Sequence, residues 1–232
     1  MHRSALGVLF LTFSLALGAC NGCHGASGGR PKVAVSIFPI YDLVRRVAGP
    51  DAEVILVLPP GHTEHSFDPT ARDIEQIAAS KLGVLVGLGL DPWMEKLMKD
   101  AAPSARVLRV GEKVPTLTVQ EGAIGDEAAD KARGKEEEDH DHEKGATDPH
   151  VWMDPSRART IVKAIGDELA ATDAAHAAGY HERATQLDAD LEKLDKELGA
   201  RTDAFKTRGF VTFHGSFNYY AAHYKLKILG VI

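Results

Sequence analysis

Hydrophobic positions in the first half of the chain come in short continuous runs. Val33–Ile37 is β-branched and ends before Pro39, Glu53–Leu58 stops at Pro59-Pro60-Gly61, and Leu82–Leu88 is punctuated by Gly83 and Gly87. Ala105–Val110 closes the series. Runs of this length between turn residues predict buried strands. Between them the spacing becomes helical. Tyr41–Ala48 is closed by Gly49-Pro50, and Thr70–Ser80 puts Ile74, Ile77 and Ala78 on one face. A third helix opens at Asp91-Pro92, with Asp91 as N-cap and Pro at the first helical position, and runs to Asp100. Strands alternating with helices predict an α/β fold with a parallel sheet covered on both faces. Ligands of such sheets sit beyond the carboxyl ends of the strands.

The second half is mostly helical. A helix starts at Asp154-Pro155 and runs to Ala171, and another spans Ala174–Lys206. In the latter, Leu187, Leu191, Leu194 and Leu198 form an apolar stripe. It is roughly 45–50 Å long at the standard rise, a rigid strut between two β-containing halves. Phe210–Phe213, Phe217–Tyr224 and Lys227–Ile232 then read as strand, helix and strand. The expected organisation is a first α/β lobe over 32–172, a linking helix over 173–207, and the start of a second α/β lobe over 208–232. A lone β-α-β unit makes a poor domain, so that second lobe reads as incomplete.

The region 111–147 interrupts this pattern. From Asp126 to Asp148 there are ten acids and four bases, a balance of −6, which equals the formal charge of all 232 residues. Such a run reads as a solvated acidic loop. Its centre, EEEDHDHE, carries His140 and His142, and the alternative reading is a weak, exposed metal-collecting tract. The acidic balance argues against nucleic-acid binding, which needs a basic face. At the other end, residues 1–19 have the layout of a signal peptide, and Leu17-Gly18-Ala19-Cys20 resembles a lipobox that would lipidate Cys20. The Gly-rich residues 20–31 read as a tether. Cys20 and Cys23 are too few to staple a fold of this size.

Eleven histidines draw attention to metals. His65 lies in the loop after the second strand, His150 in Asp148-Pro149-His150 on a loop leading back to the sheet, and His214 directly after Phe213. They are 85 and 64 residues apart, too scattered for a zinc finger but suited to a cleft between lobes. The other histidines read as ordinary. His62 is a loop neighbour, His176 and His181 do not share a helix face, and His223 packs among Tyr219, Tyr220 and Tyr224. Asp68 and Asp154 precede prolines and read as turn or cap residues.

Four features in order resemble the ZnuA/TroA-like substrate-binding lipoproteins of zinc/manganese ABC importers. These are the lipobox, PPGHTEHSFDPTARD, the acidic His-bearing loop before DPHVWMDP, and FVTFHGSFNYYAAHYKL. The resemblance covers Lys32 to the end. It implies two α/β lobes joined by a long helix, with one metal in the cleft. It also implies that His65, His150 and His214 are the metal ligands, with Glu64 or water as the fourth. Family chains continue past the equivalent of Ile232, so the resemblance implies an incomplete second lobe and leaves the fourth ligand open. Three imidazoles suit Zn2+ better than Mn2+. The function implied is zinc capture by a lipid-anchored monomer outside the cytoplasmic membrane, for delivery to an ABC permease. A manganese-binding member of the same family and a surface adhesin are the alternatives. A secreted zinc hydrolase with Glu64 as general base is a weaker one, because HTEH is not HExxH and lies on a Pro/Gly-bounded loop. The expected protein is therefore no enzyme.

Overall fold

A computed structural model describes residues 29–64, 67–118 and 146–232. The signal and lipidation segment with Cys20, most of the tether, His65, and the loop histidines His140 and His142 lie outside the described residues. Four strands, β1 (Lys32–Val35), β2 (Glu53–Leu56), β3 (Ser80–Leu85) and β4 (Arg106–Arg109), form a parallel sheet of order β2-β1-β3-β4. Val33, Ala34 and Val35 are fully buried, as are Leu82, Val84 and Leu85. Successive strand residues point to opposite faces, so both faces of the sheet are covered. Helices α1 (Phe38–Ala48), α2 (Ala71–Ile77) and α3 (Pro92–Ala101) alternate with the strands. At Gly83 an added Cβ would stand 2.9 Å from the Met98 side chain of α3, so glycine lets that helix approach β3.

Two sequence expectations change here. Thr70 is the N-cap of α2, in a reciprocal capping box with Asp73, and the helix ends at Ile77. Ser80, expected in that helix, begins β3. Asp91 precedes α3 but does not cap it through its side chain. Its buried carboxylate accepts the Val86 and Gly87 N–H groups, both at 2.8 Å. Burial pushes the Asp91 carboxyl above its ordinary range against those bonds.

After the acidic region the chain returns through a Thr118–Thr147 antiparallel bridge. The loop expected to lead from His150 back to the sheet is a 3-10 turn, Val151–Met153, closed by a Met153 N–H bond to the His150 carbonyl at 3.1 Å. It feeds α4 (Pro155–Thr172) and not a strand. Asp154 is the N-cap of α4 and accepts Ser156 N–H at 2.8 Å. The predicted 33-residue helix divides into a 3-10 turn at Ala174–His176 and α5 (Ala177–Asp203). His176 therefore lies off the long helix and pairs with Asp173 at 2.7 Å, whereas His181 faces Asp167 of α4 at 3.6 Å. The leucine stripe is buried only at its start. Leu187 is 6% exposed but Leu194 is 42% exposed.

A second parallel pair, β5 (Gly209–Thr212) and β6 (Lys227–Val231), is joined through α6 (Asn218–His223). His223 stands edge-on to Tyr224 as expected, with centroids 4.6 Å apart. Its ring nitrogens face acids instead, Asp195 of α5 at 2.7 Å and Asp154 of α4 at 3.4 Å. No helix among the described residues is long and apolar enough to cross a membrane.

Arg183 pins α5 to the first sheet unit. It donates to the Val47 and Ala48 carbonyls at 2.7 and 3.0 Å and to Asp51 at 2.7 Å. Those carbonyls are the open C-terminal end of α1, where a cation also meets the helix dipole. Gly49, at φ +56°, closes α1, and an added Cβ there would lie 2.7 Å from Arg183 Nε. Arg183→Ala is expected to cost about 2 kcal/mol in urea unfolding, since three acceptors lose their donor. A change within about 0.5 kcal/mol, typical of an ordinary surface site, would contradict this.

Candidate metal centre

Three side chains converge from distant parts of the chain. Glu64 comes from the loop after β2, His150 from the segment before α4, and His214 from just past β5. One ligand atom from each lies within 4.8 Å of the others. Glu64 and His214 are thus beyond the carboxyl ends of parallel strands, where the sheet rule puts ligands. His150 reaches the same point from the return of the acidic region. The His150 and His214 Nε2 atoms are 3.2 Å apart. Two imidazole nitrogens bound at ~2.0–2.1 Å to one tetrahedral cation stand ~3.3–3.4 Å apart.

Asp148 sets the orientation of His150. Its Oδ1 accepts from His150 Nδ1 at 2.8 Å and from the His150 backbone N–H at 2.9 Å. A carboxylate can only accept, so the neutral ring keeps its proton on Nδ1 and turns the Nε2 lone pair toward His214. Asn218 Nδ2 donates to Asp148 Oδ2 at 2.9 Å. Tyr219 donates to the Asp148 carbonyl at 2.7 Å and accepts the Leu117 N–H at 2.9 Å. Both stems of the acidic region therefore hang on one phenol of α6. Arg157 lies over that Tyr219 ring at 4.7 Å and pairs with the buried Asp154.

Counted along the sequence, Asp148 belongs to the solvated acidic run. In the structure it is fully buried. Burial pushes its carboxyl up, but the bonds from the His150 ring, the His150 backbone and Asn218 outweigh that and hold it below the ordinary range. The sequence reading also passed over Asn218, Tyr219 and Trp93. Trp93 Nε1 donates to the Glu64 carbonyl at 2.8 Å, and Trp152 stands edge-on to His150 with centroids 5.3 Å apart. An Asp two residues before a candidate ligand His was the one available signal, because such a carboxylate can reach the ring nitrogen. Asn218 and Tyr219 lay inside the FVTFHGSFNYYAAHYKL motif without a role of their own, and no sequence signal marked Trp93.

Residues 33–232 match the family profile of ZnuA, the periplasmic component A of a zinc-uptake complex. The chain belongs to this family. It is 30% identical over 222 residues to the zinc-binding lipoprotein AdcA of Streptococcus pneumoniae, across 94% of this chain. The chain spans 40–42% of the length of the curated streptococcal AdcA relatives it matches. The Zn(II)-bound ZnuA-like domain of Streptococcus pneumoniae AdcA superposes with a TM-score of 0.69 at 25% identity, over 88% of this chain and 67% of that one. FpvC of Pseudomonas aeruginosa in complex with Mn2+ gives 0.68 at 26%, over 88% and 68%. The α/β architecture, parallel sheet and long helix are thus the ZnuA-type binding-protein fold.

The lowered Asp148 carboxyl gives a pH prediction. A group whose folded pKa lies below its unfolded value of ~3.9 adds stability above that pH and loses it as pH falls through the folded value. Asp148→Asn is therefore expected to lower stability at neutral pH and to flatten its decline between pH ~5 and ~3. Urea unfolding across that range measures both, and an unaltered acid limb would dismiss the assignment.

Proposed function

We propose that the chain is an extracytoplasmic zinc-capture protein that holds one Zn2+ between His65, His150 and His214, with Glu64 or water completing the shell. The observation carrying this reading is the pair of Nε2 atoms 3.2 Å apart, with the Glu64 carboxylate inside the same 4.8 Å group. Imidazole nitrogens joined by a carboxylate match the zinc preference, whereas Mn2+ favours oxygen-rich octahedral sites. The names of the AdcA relatives point the same way. Family membership supports delivery of the ion to an ABC permease in the cytoplasmic membrane. Lipidation at Cys20 would keep the protein at the membrane surface, as the lipoprotein name of the pneumococcal relative suggests. The acidic loop with His140 and His142 would raise the local cation concentration without forming the tight site. Nothing in this role requires bond cleavage, and the expectation that the protein is no enzyme stands as part of the proposal.

Chelator-competition titration tests the assignment. The expected result is one tight zinc per chain, with His65→Ala, His150→Ala and His214→Ala each losing more than the about 10–100-fold typical of residues that merely support a ligand. Circular dichroism shows that each variant is folded. Equal or tighter binding of Mn2+ would make this a manganese protein, and retention of the tight zinc by any two variants would remove the site.

Protons compete with zinc for the imidazoles, so affinity should fall steeply below about pH 6. The same titration repeated at lower pH checks it. A pH-independent affinity would mean that carboxylates, not histidines, dominate the shell.

A further inference from the structure

The Glu64 ligand sits on a part of the chain with little structure of its own. Between β2 and α2 the backbone makes a turn at Gly61, φ +86°, closed by a His62 N–H bond to the Pro59 carbonyl at 3.3 Å. The flanking side chains pack on α3. The Trp93 ring meets Phe67 edge-on with centroids 4.9 Å apart, and Phe67 meets His62 in the same way at 5.5 Å. Phe67 is 7% exposed, so the far end of the loop is sunk into the core. The indole N–H then reaches the Glu64 carbonyl itself at 2.8 Å.

Trp93 has a firm base. It is the second residue of α3, and the turn before it is held by the buried Asp91 carboxylate on the Val86 and Gly87 amides. Pro92 fixes φ at the first helical position. Further along α3, Glu95 accepts from Arg109 of β4 at 2.6 Å. The indole is therefore rigid with respect to the sheet, while the chain it grips is not part of any strand or helix.

Resting on the zinc reading, we propose that Trp93 is a positioning residue for metal capture: its indole N–H holds the Glu64 backbone so that the Glu64 arm meets His150 and His214. Metal sites tolerate a ligand displacement of only about 0.5 Å before affinity suffers. Glutamate has three rotatable bonds, so its carboxylate is no better placed than its backbone. One hydrogen bond to the Glu64 carbonyl fixes the backbone from which its carboxylate reaches the cluster. His150 needs no such help, because Asp148 orients its ring.

A double-mutant cycle tests this. Trp93→Phe keeps an aromatic ring against Phe67 and removes the donor. It is expected to weaken zinc binding about five- to tenfold, the usual worth of one hydrogen bond. In a chain already carrying Glu64→Ala and His65→Ala, Trp93→Phe should change zinc affinity less than about twofold, because the arm no longer contributes a ligand. A purely structural role would give the same loss in both backgrounds, and that result overturns the proposal, as does an unchanged affinity in the intact chain. Thermal melting of the metal-free variants separates folding from placement. Should Trp93→Phe fail to fold, Phe67→Leu loosens the same arm without a substitution in α3 and leaves the indole donor in place. The expected loss then appears only with the arm intact, and no loss overturns the proposal. Wild type without a tight zinc site removes the zinc reading and this role together, whereas tight wild-type binding with an unaffected Trp93→Phe removes this role alone.

Discussion

A carboxylate taken wholly out of water must find its hydrogen bonds inside the protein, and around Asp148 that requirement organises much of the structure. Its Oδ1 takes the His150 ring and backbone N–H groups and its Oδ2 takes Asn218. Its own carbonyl takes Tyr219, and its own N–H goes to the Leu117 carbonyl at 2.8 Å. These partners come from the return of the acidic region, from its outgoing stem and from α6. A single side chain thus joins the first sheet unit to the β5–α6–β6 unit and fixes the tautomer of the ring that faces His214. Moving any one partner leaves a buried polar group unpaired, at a cost of about 1–3 kcal/mol.

Further polar ties lie along α4 and α5. Arg159 of α4 forks onto Asp188 of α5 at 2.7 and 3.0 Å. His223 of α6 spans Asp154 and Asp195. Arg208 reaches the Thr202 carbonyl at the end of α5 at 2.6 Å. These directional bonds add to apolar packing, since the fully buried Tyr219 of α6 belongs to the same core as the first sheet. The ligand cluster depends on both, since Glu64 and His214 follow strands of different sheets.

The four strands of the first sheet and the order of helices between them were legible, because buried parallel strands read as unbroken apolar runs ended by Pro and Gly. The loops carrying Glu64, His150 and His214 were legible as strand-end and Asp-Pro-bounded segments. What escaped was the partnership of polar side chains. Asp91 before a proline looks like an N-cap, yet its carboxylate serves the preceding turn, where it accepts the Val86 and Gly87 amides. Asp148 looks like the tail of an acidic run and is the most enclosed acid of the site. Leu194 continues a perfect apolar spacing but faces outward, since periodicity says which face is apolar and not what packs against it. The Asp148 assignment depends on partners 70 and 71 residues away, which local spacing does not encode.

The chain has only two tryptophans. One grips the Glu64 carbonyl and the other lies against the His150 ring, so both indoles stand on opposite arms of the same cluster. No tryptophan elsewhere contributes a background signal. The protein's own ultraviolet emission is therefore a local, label-free view of this cleft, and replacing one indole at a time would separate what each arm feels when an ion arrives.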